Sequence, residues 1–317
     1  MQNTIRHSCE SPWPALDFNS WQETLGTLHL FTQIVGKIRL RHMPWQNHSW
    51  HTSLFVSPRG FSTGPVPYGH GLFEVQLDFE NHRAVVNSSF APDAEVKLYP
   101  RTVASFYQEL FEKLASIGIQ TRIHAAPNEI PEAIPFAEDE VHAAYDGDKV
   151  SRFWQACMSV HYVFQRFRSR YLGKCSPVQF FWGSFDLAVT RFSGRKAPLH
   201  PGGLPNVPLA VMQEAYSQEV SSCGFWPGSE HSPQPVFYSY CYPTPEAFGK
   251  MRARPDEAFY SEEMGEFFLP YDAVRQAEDP AQKLMDFLQS TWEAAAITGN
   301  WNRDLLETTS PGFEAWE

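Results

Sequence analysis

GKCSPVQFFWGSFDLAVTRFSGRKAPLHPGG, residues 173–203, decides how this chain is read. VQFFW has the β-branched and aromatic content of a buried strand, GSFD has turn chemistry, and LAVTRF returns as a second strand, so the stretch predicts a β-hairpin. The same stretch sets Asp186, Arg191, Arg195 and His200 among rings, where an unpaired charge is costly to bury. A site is therefore expected near this hairpin.

Working outward, Phe153, Cys157, Val160, Phe164, Phe167 and Tyr171 recur at helical spacing and predict a helix over about 149–172, ended by Gly173. After the hairpin comes a Pro- and Gly-containing insertion, 195–230, within which LAVMQEAYSQEV (209–220) reads as a helix. The strands QPVFYSYCYP and GEFFLPY follow, then the helix PAQKLMDFLQSTWEAAAI, closed by Gly299.

The first half runs through a similar order. Trp21, Leu25, Leu28, Phe31, Val35 and Ile38 mark an apolar helix face over 20–41, with Ser20 and Glu23 as a capping box. Past Pro44 the period changes to two in HTSLFVS, FSTGPVPYG, LFEVQLDFE, RAVVNSS and EVKLYP, a meander of short antiparallel strands. TVASFYQELFEKLASIGI is helical to Gly118, and QTRIHAA (120–126) reads as one more strand. With that strand counted, the second half takes the order strand, helix, four strands, helix, which is similar to the half-fold of TATA-binding proteins in order alone.

The expected fold is therefore α+β: two similar halves, each helix, antiparallel sheet, helix, with a possible pseudo-twofold duplication. The expected divisions are an N-terminal extension (1–15), a first half (16–125), a Pro- and acid-rich connection (126–147), a second half (148–300) carrying the 195–230 insertion, and a C-terminal tail (301–317).

Composition limits what the chain does. Of 317 residues 43% are hydrophobic and 15% aromatic, enough for a large core and for a ring-lined cleft. A formal charge of -11 argues against a nucleic-acid binder, which needs a basic stripe. Five cysteines without a CxxC pair argue against a disulfide framework or a cysteine zinc site, and no window has the apolar length of a signal peptide or a membrane span. A cytoplasmic protein is expected.

No standard catalytic motif is present: GKCS lacks the upstream Gly of a P-loop, WGSFD is not GxSxG, and HExxH and GxGxxG do not occur. KCSPVQFFWGSFDLAVTRFSGR (174–195) and AYSQEVSSCGFWPG (215–228), with WPAL (13–16), TLHLFTQIVGKIRL (27–40) and FLQSTWEAAA (287–296), resemble the bacterial proteins grouped as domain of unknown function family 5996. That resemblance spans nearly the whole chain and implies a bacterial, single-unit protein without an assigned activity. It also associates His with the positions that hold Gln179 and Gln218 here, so a metal-binding reading loses two ring nitrogens.

Candidate site residues follow from charge among rings. Arg59, Arg191 and Arg195 are expected to hold an anionic group. His51, His200, Glu214 and Glu219 are expected to serve as ligands or in proton transfer, the two glutamates on one short helix. Tyr68, Gln179, Trp182, Asp186, Tyr216 and Trp226 are expected to line the site, although Asp186 is also explained by its turn. The expectation is a small-molecule ligand, bound where residues 48–68 meet 179–226, with an enzyme narrowly preferred; the rival is a binding or interaction protein whose charges pair to staple the insertion. No cofactor, metal or oligomeric state is indicated by the sequence.

Overall fold

The structure, a computed structural model, describes residues 11–308. Most of the expected N-terminal extension and the tail from residue 309 lie outside the described residues.

Two six-stranded antiparallel sheets form, flanked by long helices. The chain opens on helix α1 (Phe18–His42), then lays down β1 (Phe55–Ser57), β2 (Gly60–Ser62), β3 (Val66–Tyr68), β4 (Gly71–Asp78), β5 (Arg83–Ser88) and β6 (Ala94–Lys97) before helix α2 (Val103–Ser116). These strands pair in the order β1-β2-β4-β5-β6, with β3 also on β4. Phe61, Phe73, Val75, Leu77, Ala84, Val86 and Val96 alternate onto one buried face beneath α1 and α2, while Glu74, Gln76 and Glu95 point the other way.

The second series runs helix α3 (Gly147–Ser169), β7 (Gln179–Phe181), β8 (Asp186–Lys196), α4 (Leu209–Ala215), β9 (Gln218–Trp226), β10 (Val236–Tyr242), β11 (Phe259–Ser261), β12 (Glu266–Pro270), α5 (Tyr271–Arg275), α6 (Pro280–Thr298) and α7 (Arg303–Leu306). Its sheet order is β11-β12-β10-β9-β8-β7. Leu187, Val189, Phe225, Phe237 and Leu269 face inward, beneath α3 and α6.

The sheets join edge to edge. Leu54, just before β1, pairs with Phe180 of β7 through two backbone bonds of 2.9 and 2.8 Å. Phe61 stacks on Phe180 at 4.2 Å, and Phe153 and Phe225 continue the row, so one apolar core runs beneath both sheets. Both series run from a helix through a hairpin into further antiparallel strands and a later helix, but the second inserts α4 after β8 and pairs β10 with β12 rather than with β11.

Two expected elements differ. QTRIHAA forms no strand, and the TATA-binding-protein order falls with it; Gln120 instead gives its amide to the Tyr68 hydroxyl at 2.8 Å. The helix expected over 209–220 ends at Ala215, and Gln218 onward belongs to β9, where the VSSCGFW run pairs with two strands. Glu214 and Glu219 therefore lie on different elements. Sheet pairing on both sides outweighs the helical propensity of a short segment.

Candidate functional site

Alternation along β8, β9 and β10 sets up the site. On the face turned away from the core, Asp186, Ala188 and Thr190 lie beside Gly224 and Ser222, and next to them Tyr238 and Tyr240. The side chains in the middle of this face are small, so the tyrosines lie across it. A Cβ on Gly224 would come within 2.3 Å of the Tyr238 ring and hydroxyl. That bare position lets the Tyr238 hydroxyl reach over β9 and donate to Asp186 Oδ2, while Ser184 Oγ donates to Oδ1 at 2.5 Å. Asp186 is 6% exposed.

Three further groups close the recess. Tyr216, just past α4, shares a 2.7 Å hydroxyl bond with Tyr240, and His200 stacks on Tyr216 at 4.5 Å. Glu266 starts β12 on the same face. Glu129 comes from the connection and rests on Gly183, where a Cβ would stand 2.0 Å from its carboxyl oxygen. Its left-handed backbone (φ 60) is fixed by a bond from Glu129 N to Pro205 O and by Gln33 of α1, which pairs with both backbone groups of Asn128. Such a conformation persists in a non-glycine residue only when its surroundings hold it.

The recess is acidic. Burial, reinforced by the Asp186 charge, pushes Glu129 and Glu266 up to about 7. Burial also raises Asp186 itself, against the two hydroxyl bonds that favour its charged form. Tyr216, Tyr238 and Tyr240 are raised by burial too and stay protonated donors. Neither Glu129 nor Glu266 has a hydrogen-bond or ion-pair partner for its carboxyl among the described residues.

A second polar group lies farther along the same sheet face, against Phe192, ~20 Å from Asp186 at the rise of an extended strand. Lys174 sits 4.9 Å from the Phe192 ring and 5.6 Å from that of Trp50, and its ammonium donates to His48 Nε2. His48 Nδ1 donates to Ala215 O at 2.9 Å, which fixes a neutral ring with the proton on Nδ1. His48 N donates to Glu214 Oε1 at 2.7 Å, and Glu214 Oε2 is buried without a partner. These contacts fasten α4 to residues 47–51. Gln179 donates to Ser53 Oγ at 2.8 Å, and Gln218 accepts from Lys174 at 3.4 Å, so both Gln positions flank this segment.

The residues singled out in the sequence separate accordingly. Asp186, Tyr216 and His200 share the recess, and Trp226 lies on the same face at the end of β9. His51, Gln179 and Glu214 lie at the seam with the first half, where His51 Nδ1 accepts from Gln46 N at 3.3 Å. Trp182 gives its indole N–H to Thr52 O at 2.6 Å and packs on α1 at Gly36. Tyr68 stacks on Phe90 in the first sheet.

The three arginines do not assemble. Arg59 is exposed in the β1–β2 turn, 3.7 Å from Asp78 and 3.9 Å from Glu80. Arg195 pairs with Glu219 at 2.6 Å and donates to the carbonyls of Gly299 and Asn300 at the end of α6. Arg191 points into the core, 1% exposed, with its guanidinium carbon 3.4 Å from the Phe167 ring centre and 4.9 Å from those of Tyr171 and Trp292. One bond, from Nη2 to Phe167 O at 2.5 Å, and three ring faces take the place of the anionic group expected for it; burial lowers it to about 10.

Residues 13–308 match the family of unknown function DUF5996. The chain belongs to that family. No curated protein and no solved structure matches it. In this DUF5996 chain no group of three or more His, Cys, Asp or Glu is placed to hold a metal ion among the described residues. No helix among them is long and apolar enough to cross a membrane.

Glu129, Tyr238, Tyr240 and Glu266 join the recess although no motif in the DUF5996 sequence marks them. VFYSYCY carries a signal for the tyrosines: Phe237, Ser239 and Cys241 alternate with Tyr238, Tyr240 and Tyr242, a strand whose two faces are both occupied. For Glu129 there is none, since its place depends on contacts with α1 and with residues 205–206.

Proposed function

We propose that the recess over β8–β10 is a small-molecule site whose ligand carries a positive charge, with Asp186 as its anchor. One observation carries this reading: three carboxyl groups share a half-buried, tyrosine-lined space, two of them raised to about 7 and without a cationic partner among the described residues. A cation entering there relieves both the burial cost and the mutual repulsion. The tyrosine rings supply π faces for an ammonium group, and their hydroxyls orient it. The charge is opposite to that expected from the arginines, because those arginines point elsewhere.

An enzymatic role is a second reading, favoured by the two glutamates. Groups near pKa 7 exchange protons readily at neutral pH, as general acid and base require.

The test is a thermal-shift panel of small amines, each beside its uncharged isostere and a carboxylate of matched shape. Amines are expected to raise the melting temperature of the natural protein at pH 8 and to leave a folded Asp186→Asn variant unmoved. Stabilisation by carboxylates instead, or by amines equally in Asp186→Asn, overturns the proposal.

The partly shared order of a helix, a hairpin and further antiparallel strands supports reading the two series as duplicated halves. The four described cysteines, all free, fit the reducing environment of a cytoplasm.

A further inference from the structure

Arg39, in the last turn of α1, is 5% exposed and has no ion-pair partner among the described residues. Its guanidinium lies 5.1 Å from the Phe55 ring centre, and Nη1 donates to Thr63 O. Nε is enclosed without an acceptor, whereas Nη2, equally without one, is not enclosed. Taking a guanidinium out of water is costly unless an anion meets it. Burial holds Arg39 down to about 10, with no carboxylate charge to raise it. Arg191 is the contrast: three rings surround it, and its spare Nε and Nη1 are shut off from any visitor.

A second donor stands near it. Trp182 seats on Gly36 and gives its indole N–H to Thr52 O, which brings the chain at His51 against α1 about one turn before Arg39. His51, 7% exposed, accepts from Gln46 N at Nδ1, so its proton is on Nε2. That N–H has no acceptor among the described residues and is not enclosed either. Two charges face His51: Arg39 of α1, which with burial keeps the ring neutral, and Glu214 of α4, which acts against them. Gly64, half-exposed and left-handed at φ 60, leaves the approach bare; a Cβ there would stand 3.7 Å from the Phe55 ring and 3.9 Å from Arg39 Nη1.

From these donors we infer that Arg39 and His51 bind a small oxyanion, a phosphate or a carboxylate group, at the seam between the two series. The guanidinium supplies charge and its Nη2 a hydrogen bond, and the imidazole Nε2–H supplies another. An oxyanion there neutralises the buried cation and gives both idle donors an acceptor. The Glu214 charge lowers the affinity, but its carboxylate occupies neither donor, because Oε1 is taken by the His48 amide and Oε2 is enclosed. The site is separate from the recess over β8–β10 and opposite to it in charge.

The ring resonances of His51, identified by their loss in His51→Gln, report on the site. Inorganic phosphate and acetate are titrated into the natural protein at pH 7, with sodium chloride at matched ionic strength as reference. The resonances are expected to shift saturably with phosphate, acetate or both, and which of them saturates assigns the class. A bound anion offsets the Arg39 charge, so the midpoint of the His51 titration is expected to rise in its presence. Arg39→Lys keeps the charge but loses the planar fork and is expected to raise Kd about tenfold, whereas Arg59→Gln, in the exposed β1–β2 turn, leaves Kd unchanged. Shifts that follow ionic strength alike in chloride, or a His51 midpoint that stays in place, overturn the inference, and both are read on the natural protein even where Arg39→Lys fails to fold. A Kd that Arg39→Lys raises no more than Arg59→Gln overturns it as well.

Discussion

The Tyr238 hydroxyl donates to the buried carboxylate of Asp186 from two strands away, across the empty Cα of Gly224. Gly224→Ala places a methyl where the ring lies. It is expected to cost about 1–3 kcal/mol by overpacking and to break the bond. Tyr238→Phe removes the donor while keeping the ring, so its loss in urea stability should be smaller, about 1–2 kcal/mol. Equal stability of Gly224→Ala and the natural protein would show that the ring has room to move.

Glu129 gives a pH signature of definite sign. Its folded pKa, about 7, is above its ordinary value of 4.5, so between those values the folded state holds the proton that the unfolded state releases. Its contribution to stability is full below about pH 4.5 and is lost as pH rises through 7. Glu129→Gln should match the natural protein near pH 5 and exceed it at pH 8 by roughly 1–2 kcal/mol, a value reduced from the full shift for partial exposure. Glu266→Gln should behave alike, and unfolding curves at the two pH values check both.

His29 of α1 works in the opposite sense. Burial lowers it to about 4, with Nε2 donating to Gly183 O at 2.9 Å, so folding favours the neutral ring. Its contribution is present above about pH 6.5 and is lost as pH falls toward 4. His29→Gln should flatten the acid side of the stability profile, and a titration of His29 followed by NMR with a midpoint near 6.5 would contradict the assignment.

Arg191 separates shape from charge. Arg191→Met keeps the bulk among Phe167, Tyr171 and Trp292 and should change stability by less than ~1.5 kcal/mol, whereas Arg191→Ala opens a cavity and should cost about 2–4 kcal/mol. If Met costs as much as Ala, the guanidinium itself holds the core together.

Glu214→Ala leaves the His48 amide without its acceptor and loosens α4. The expected cost is about 1–2 kcal/mol, with faster hydrogen exchange over residues 47–51 and 209–217. Unchanged exchange there would place the fastening elsewhere.

The fold was legible where one period dominates. Phe153 to Tyr171 and Trp21 to Ile38 repeat at helical spacing, and both segments are helices within a few residues of where that spacing puts them. The 209–220 segment misled because Tyr216 and Ser217 hide a change of period that only pairing with β8 and β10 enforces. Arg191 shares the parity of Leu187 and Val189, so its inward direction could be read; its ring partners on α3 and α6 could not, being brought in from 24 residues away and more. Asp186 reads as a turn residue, and its Ser184 bond fits that. The bond from Tyr238, 52 residues on, depends on a glycine whose purpose emerges only when three strands lie side by side.

The pairing of Leu54 with Phe180 also gives cover to both partners. Each terminal strand at that junction shields the other's open amides and carbonyls from a foreign chain, and among the described residues β6, β11 and the outer side of the short β3 remain as free borders. Damage to this one short contact would therefore unmask two sticky margins at once, and insolubility should appear before any loss of helix.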